Sequence, residues 1–227
     1  MFALLAFAGG ARAANELIFL SGFEDCAPAF ADADGDGWGD ELRGTDNCTR
    51  PASYVVAFGD CNDGEQTVHP GAPDAPDASF GDANCDGIDG DVVRAAFVAP
   101  GGVDGPACSI DAPCATVAHA LARVAADSAR DHVYVQAGQY AGHVDLVASE
   151  AVFGGYDASW MRADRDAPGH ASIIQGGVRA NGIVASDGNA PMLENLVVLG
   201  PDGAGAEASS IAVRISASSG VVLARLR

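Results

Sequence analysis

The tetrapeptide Leu193-Glu194-Asn195-Leu196 recurs 30 residues later as Leu223-Ala224-Arg225-Leu226, and this repeat decides the expected fold. A second pair, Gly182-Ile-Val-Ala185 and Ile211-Ala-Val213, aligns at a shift near 28 residues. Repeats of this length are typical of β-solenoids, in which each coil of the chain stacks on the preceding one. The stretch 200–208 is polar and Gly-rich, as an outward loop of a coil should be. We therefore predict a solenoid, with a β-sandwich as the alternative.

Short β-branched runs separated by Gly, Asn or Asp precede and include this repeat, so the expected class is mainly β. One helix is predicted over Ala115–Ser128, with Thr116 as its cap. Its apolar residues recur at helical spacing, and they are Val117, Leu121, Val124 and Ala125. The predicted strands are 132–136, 143–147, 151–153, 172–174, 182–185, 193–199, 211–215 and 221–226.

The segment between Asp32 and Asp91 is strongly acidic, with fifteen acidic residues opposed by Arg43 and Arg50. Many of the acids are two apart beside glycines, as in Asp32-Ala-Asp34-Gly-Asp36-Gly-Trp38-Gly-Asp40. Alternate residues of a tight turn direct their oxygens at one centre, and Ca²⁺ takes six to eight oxygen ligands. Two carboxylates about 4 Å apart repel by roughly 4 kcal/mol at an effective dielectric near 20, so we expect structural ions here.

Composition excludes several classes of partner. The formal charge is −19, from 31 acidic and 12 basic residues, which argues against nucleic acid and anionic membrane surfaces. No apolar stretch reaches the roughly 18 residues of a membrane span. The hydrophobic content of 48% is enough for at least one core. The composition does not indicate an oligomeric state.

Six cysteines without C-x-x-C spacing predict disulfides and an oxidising, extracellular location. Of the fifteen pairings, short turn-rich stretches favour Cys108 with Cys114 and Cys48 with Cys61, which leaves Cys26 with Cys85. Residues 1–13 combine an apolar run with a small-x-small site, and we interpret them as an incomplete secretory signal peptide. A short buried apolar N-terminus is the alternative.

The acidic segment resembles the MopE-type metal-binding motif of secreted bacterial proteins. The matching stretches include Asp32–Asp40, Gly59-Asp-Cys-Asn-Asp63 and Asn84-Cys-Asp-Gly-Ile-Asp89, in the same order over about sixty residues. The Asp-rich loops are also similar to thrombospondin type 3 calcium repeats, with Asp46-Asn-Cys48 following the first loop. The resemblance implies a metal-binding module over residues 26–91 and several Ca²⁺ ions.

Three ligand sets follow from this resemblance. The first comprises the side chains of Asp32, Asp34, Asp36, Asp40 and Asp46 with the carbonyl of Trp38. Asp46 is included because Arg43 occupies the position at which an EF-hand has its bidentate glutamate. The second is weaker and comprises Asp60, Asn62 and Asp63. The third comprises Asp82, Asn84, Asp86, the carbonyl of Ile88, Asp89 and Asp91.

Copper is the rival metal, because the name of the motif points to it. Copper prefers imidazole and sulfur, whereas these loops offer hard oxygens. His69 is the single histidine of the segment, and a turn position before proline favours a structural or solvated role for it. We therefore expect calcium and not copper.

The second half resembles the start of pectin-lyase-like right-handed parallel β-helix proteins. The resemblance rests on Ala112-Pro-Cys-Ala-Thr116, Val133-Tyr-Val-Gln-Ala-Gly-Gln-Tyr140 and Val152-Phe-Gly-Gly-Tyr-Asp157. It implies a capping helix and the first β-helix coils over 115–227. The turn residues Pro100-Gly-Gly102 and Gly105-Pro106 predict a linker over 92–114 before them. The final strand lacks a cap, so we expect either that the chain is a fragment of a longer protein or that another chain covers the exposed edge.

Some parallel β-helix proteins are polysaccharide lyases or glycosidases, so an enzyme is the alternative function. The available groups show no recognised catalytic spacing, and they are Arg162, Arg165, Arg179, Asp145, Asp157, Asp164 and Asp166. Charged residues of 159–166 are interpreted as solvated turn residues. The favoured interpretation is a secreted or surface-exposed, non-catalytic calcium-binding protein with carbohydrate or cell-surface partners.

Overall fold

The computed structural model describes residues 27–45, 50–146, 150–176, 183–186, 191–200, 211–216 and 221–227. The predicted signal peptide, Cys26, Asp46 and Cys48 lie outside these ranges. The chain divides into two compact units. The first contains the described residues up to Pro73 together with Ala83–Cys85, and the second contains Asp74–Asp82 and Asp86–Arg227.

The first unit is built on a small antiparallel sheet of strands β1 (Ala29–Ala31), β2 (Asp40–Thr45) and β3 (Tyr54–Val55), in the order β2-β1-β3. Few apolar side chains pack against this sheet, because the segment is rich in acidic residues. The rings of Phe30 and Phe58 lie 5.0 Å apart. Sheet hydrogen bonds, a disulfide and turns therefore supply much of the stability of this unit.

The structure confirms one of the three predicted disulfides and contradicts the other two. Cys108 pairs with Cys114, as predicted. Cys61 pairs with Cys85 and not with Cys48, so both remaining predicted pairs were wrong. The chain leaves the first unit after Pro73 and returns to it at Ala83–Cys85, which brings Cys85 to Cys61 although 24 residues separate them.

The second unit consists mainly of short strands, together with one described α-helix. Strand β4 (Ala95–Val98) comes first, after a 3₁₀ turn over Val92–Arg94, and helix α1 (Val117–Ala126) follows. The remaining strands are β5 (His132–Gln136), β6 (Gly138–Ala141), β7 (Val144–Leu146), β8 (Ala151–Tyr156), β9 (Ser172–Gln175), β10 (Ile183–Ser186), β11 (Met192–Glu194), β12 (Val197–Leu199), β13 (Val213–Ser216) and β14 (Val222–Ala224).

Within the described ranges, these strands form three parallel sheets, in the orders β14-β11-β8-β5-β4, β12-β9-β6 and β13-β10-β7. From β5 onward, consecutive strands enter the three sheets in strict rotation. Leu193 pairs with Leu223 and Ile183 with Val213, so both late repeats have a shift of 30 residues. The tetrapeptide repeat was therefore aligned correctly, whereas the second repeat was two residues off.

The predicted strand over 193–199 is two strands, because the chain turns at Asn195. This residue has a positive φ of 58° and is fully buried. Its Nδ2 donates to the carbonyls of Gly154 (3.2 Å) and Ala163 (2.7 Å), and its Oδ1 accepts the N–H of Arg165 (2.9 Å). A Cβ on Gly155 would lie 2.0 Å from this amide, so only glycine fits there.

Replacing Asn195 with alanine is expected to lower the free energy of unfolding by at least about 2 kcal/mol, because buried backbone groups lose their partners. Urea titration followed by Trp160 fluorescence in a Trp38→Phe background would measure this loss. Asn195→Gly is the control for the backbone, since glycine accepts a positive φ and should recover about 1 kcal/mol. Equal stability of Asn195→Ala and the parent would contradict the role of this amide.

Helix α1 is shorter than predicted at both ends but has the predicted cap, since the Thr116 hydroxyl accepts the His119 N–H at 3.2 Å. The helix packs against β4, β5 and β7. Its buried face contains Ala120 in place of the predicted Ala125, which is exposed, and the full set is Val117, Ala120, Leu121 and Val124.

The five-stranded sheet separates two apolar clusters. One face contributes side chains such as Val98, Val133 and Val152 to an aliphatic core that also includes α1. The other face carries an aromatic cluster of Ile88, Phe97, Tyr134, Phe153, Tyr156 and Trp160. A sheet covered on both faces explains why these strands are almost continuously apolar.

The predicted linker over 92–114 was wrong, because it contains β4, which is the edge strand of the five-stranded parallel sheet. Ala96, Phe97 and Val98 are fully buried, and the Cys108–Cys114 disulfide lies in the aliphatic core. The boundary of the acidic module at Asp91 was also misplaced, since residues 74–82 and 86–91 belong to the second unit. Burial of Ile88 in the aromatic cluster fixes this part of the chain there.

Candidate metal centre

The first predicted loop brings its three leading carboxylates together. One oxygen from each of Asp32, Asp34 and Asp36 lies within 4.8 Å of the others. Local hydrogen bonds orient these side chains: Asp32 accepts the N–H groups of Gly35 (2.7 Å) and Gly37 (3.2 Å). Asp34 accepts the N–H of Asp36 at 3.2 Å, and Asp36 accepts that of Trp38 at 2.7 Å.

Asp60 and Asp63 approach this loop from a distant turn. Asp63 Oδ1 accepts the N–H of Ala33 at 2.7 Å, which joins the turn to the loop, and Asp60 Oδ1 accepts the N–H of Asn62 at 2.8 Å. The side-chain amide of Gln66 adds a second link by donating to the carbonyl of Asp34. The two predicted ligand sets are therefore neighbours within the first unit.

Four carboxylates of this region share an unusual arrangement. In each of them one oxygen accepts a backbone N–H, while the other is buried without a hydrogen-bond partner. The four unpartnered atoms are the Oδ2 atoms of Asp34, Asp36, Asp60 and Asp63. A buried acceptor without a donor costs about 1–3 kcal/mol, and a charged one costs more, so such atoms call for a ligand.

The electrostatics of Asp60 show how closely the carboxylates interact. Asp60 is 7% exposed, and burial raises the pKa of its carboxyl group, although the Asn62 N–H opposes this effect. The charges of Asp36, Asp34 and Asp63 raise the pKa further. A divalent cation would relieve this repulsion.

The other members of the first two sets lie outside this arrangement. Asp40 accepts the N–H of Leu42 at 2.8 Å, and its Oδ2 lies 3.3 Å from Arg43 Nε. Asn62 is exposed, and its amide donates to Glu65 at 3.4 Å. The Trp38 ring stacks on His69 at 6.4 Å between centroids.

The third predicted set is not assembled as expected. Asp82 accepts the N–H groups of Asp86 (3.1 Å) and Gly87 (2.8 Å). Asp86 accepts the N–H groups of Ile88 (3.3 Å) and Val92 (2.8 Å). In the described part of the chain, the acids of 82–91 do not converge as those of the first loop do.

The remaining members of the third set have structural contacts. Asp91 caps the 3₁₀ turn by accepting the N–H of Val93 at 2.9 Å. Ile88 is buried in the aromatic cluster, and Asn84 is a buried residue of the first unit. Carboxylate oxygens that the sequence pattern assigned to a metal therefore accept backbone N–H groups of local turns.

Asp89 is a counterion of Arg162 and not a member of a metal loop. Arg162 donates to Asp89 Oδ2 at 2.8 Å and to Glu194 Oε1 at 3.1 Å, and its side chain is 0% exposed. Further donations reach the carbonyls of Gly154 (3.1 Å) and Asp77 (2.8 Å). Burial raises the pKa of the Asp89 carboxyl group, and Arg162 opposes this shift.

The groups considered for catalysis also have structural partners. The prediction that 159–166 carries solvated charges was wrong for Arg162. Asp157 accepts the N–H groups of Ser159 (2.8 Å) and Met161 (2.9 Å), and Asp164 pairs with Arg225 at 2.7 Å. Arg165 and Asp166 lie 3.5 Å apart, Asp145 pairs with His143 at 2.8 Å, and Arg179 lies outside the described residues.

The donor set around the first loop fits a hard divalent cation. It offers carboxylate oxygens in a part-buried turn, which are ligands of the kind that hard cations such as Ca²⁺ prefer. Cys108, Cys114 and His119 also lie close together, but the two sulfurs form a disulfide and are not thiolate ligands.

Sequence reasoning missed the contact between the first two acidic segments and the buried ion pairs of Arg162. The first could not be read from local spacing, because Ala33 and Asp63 are 30 residues apart. A signal for the second exists in Glu194, since an acid beside the buried Leu193 at the end of a strand requires a buried cation.

Comparison with known proteins gives no relative: no protein-family model, curated protein or solved structure matches this chain. Among the described residues, there is no helix with the length and apolar character that a membrane crossing needs. The disulfides fit an extracellular protein.

Proposed function

We propose that this chain is a secreted or surface-exposed calcium-binding structural protein, acting as a stalk, spacer or adhesive surface. The observation that carries the proposal is the group of part-buried carboxylates in the first unit, each of which has one oxygen that lacks a hydrogen-bond donor. Ca²⁺ is the cation whose ligand preference matches this set in an extracellular setting.

The proposed scaffold for display is a right-handed parallel β-helix formed by the second unit. Its support is the rotation of consecutive strands through three parallel sheets, which is the strand order of a helical coil. Right-handedness follows from the strong preference of parallel crossover connections. Carbohydrate or cell-surface components are the proposed partners of its outer faces. For the acidic loops of the first unit, the resemblance to MopE-type motifs is part of the proposal.

A catalytic role has less support than this structural one. A polysaccharide lyase needs an accessible base beside its substrate, but Arg162 is enclosed by Asp89 and Glu194. Cleavage of polygalacturonate or alginate by the purified chain in calcium would overturn the structural proposal.

Calorimetric titration of the full chain with Ca²⁺ tests the proposed function, with Cu²⁺ as the control metal. We expect saturable Ca²⁺ binding, and at about 100 times the Kd the bound ion should stabilise the first unit by about 2.7 kcal/mol. Chelation should reverse this gain. Binding of Cu²⁺ with no binding of Ca²⁺ would contradict the proposal.

A further inference from the structure

The unpartnered carboxylate oxygens come from two separate segments of the first unit. Asp34 and Asp36 belong to the loop between β1 and β2, whereas Asp60 and Asp63 belong to the turn at Cys61. The side chain of Asp63 is 10% exposed and Asp60 is 7% exposed, so water reaches these two residues poorly.

Backbone contacts hold the two segments in register. The Ala33 N–H donates to Asp63, and the N–H groups of Gly59 and Asp60 donate to the carbonyl of Gly39, both at 3.2 Å. The Ala33 contact fixes Oδ1 of Asp63, and local turns fix one oxygen of each of the other three acids, which leaves the second oxygen for a ligand. A preformed set of this kind reduces the ordering that cation binding requires.

The nearby cation Arg43 does not replace a metal. Its Nη1 lies 3.9 Å from Asp63 Oδ2, beyond hydrogen-bond distance, and its side chain is 66% exposed. Its Nε is directed at Asp40. An exposed arginine at this distance contributes little against four or five carboxylates.

We propose that the Asp32–Asp36 loop and the Asp60–Asp63 turn are two halves of one composite Ca²⁺ site, shared by Asp34, Asp36, Asp60 and Asp63. This inference rests on the proposed function and adds that the second predicted ligand set is not a separate site. The ion joins segments that are distant in the sequence, so it stabilises the tertiary structure of the first unit and not only a local loop.

Terbium, a luminescent substitute for Ca²⁺, provides the direct test in the full chain, because Trp38 ends the loop and can sensitise a bound ion. Asp60→Asn and Asp63→Asn should each weaken Trp38-sensitised terbium binding, and its displacement by Ca²⁺, by about tenfold or more. Glu41→Gln is the matched control, since Glu41 is an exposed acid of the same unit and should change affinity less than about twofold.

A stability measurement distinguishes a ligand from a merely structural carboxylate. In chelator, Asp60→Asn should be at least as stable as the parent because it removes repulsion, whereas in Ca²⁺ it should gain less stability than the parent. Loss of stability in both conditions would assign Asp60 a structural role and overturn the composite site.

The outcomes separate this inference from the proposed function. Absence of Ca²⁺ binding by the parent chain in calorimetry would refute the proposed function. Normal Ca²⁺ binding by the parent, with unchanged Trp38-sensitised affinity in both Asp60→Asn and Asp63→Asn, would refute the composite site alone.

Discussion

Replacing Arg162 with methionine is expected to lower the free energy of unfolding of the second unit by about 3–5 kcal/mol. The substitution keeps most of the apolar stem but leaves Asp89 and Glu194 buried without their cation. It also removes the donors to the carbonyls of Gly154 and Asp77. Urea unfolding followed by Trp160 fluorescence, in a Trp38→Phe background, measures the loss.

The matched control is Arg214→Met, because Arg214 is an exposed arginine of β13 and should change stability by less than about 0.5 kcal/mol. Acid should reduce the deficit of Arg162→Met. An unpaired buried carboxyl has a folded-state pKa above its unfolded value, so the variant regains stability as the pH falls through that pKa. A deficit that stays constant from pH 7 to pH 4 would argue against buried charge as its cause.

Removing the Cys61–Cys85 disulfide by a double alanine substitution should destabilise the first unit by about 3 kcal/mol. The bond closes a loop over a separation of 24 residues, and its loss restores conformational entropy to the unfolded chain. In the folded state it also retains Ala83–Cys85 in this unit, beside the hydrogen bond from His69 N–H to Ala83 O (3.0 Å).

Amide hydrogen exchange read by mass spectrometry would locate this effect. Peptides from residues 54–73 should exchange faster in the double variant, in calcium and in chelator alike. The double alanine variant of Cys108 and Cys114 is the comparison, because its disulfide lies in the core of the second unit. Unchanged exchange over 54–73 in the Cys61/Cys85 variant would show that the disulfide does not hold this region.

The sequence predicted the elements that depend on local spacing. Helix α1 and its Thr116 cap, strand β5 and the 30-residue repeat at Leu193 and Leu223 were predicted correctly, because each pattern is visible within one element or one coil. Strand β4 was missed, since the turn residues that follow it suggested a linker. The Asn195 turn was missed because its effect depends on the distant backbone of Gly154 and Ala163.

The amino-acid sequence by itself determined where acidic turns form, since an aspartate captures an N–H group within a few residues whatever the rest of the chain does. The tertiary structure alone decided which distant residue each of these acids meets. Asp63 meets the first loop across 30 residues, whereas Asp89 meets Arg162 across 73. The reason is that strand pairing and burial determine which residues meet at such separations. Two similar Asp-Gly motifs therefore differ in role, since Asp63 contacts the acidic loop and Asp89 pairs with a buried arginine.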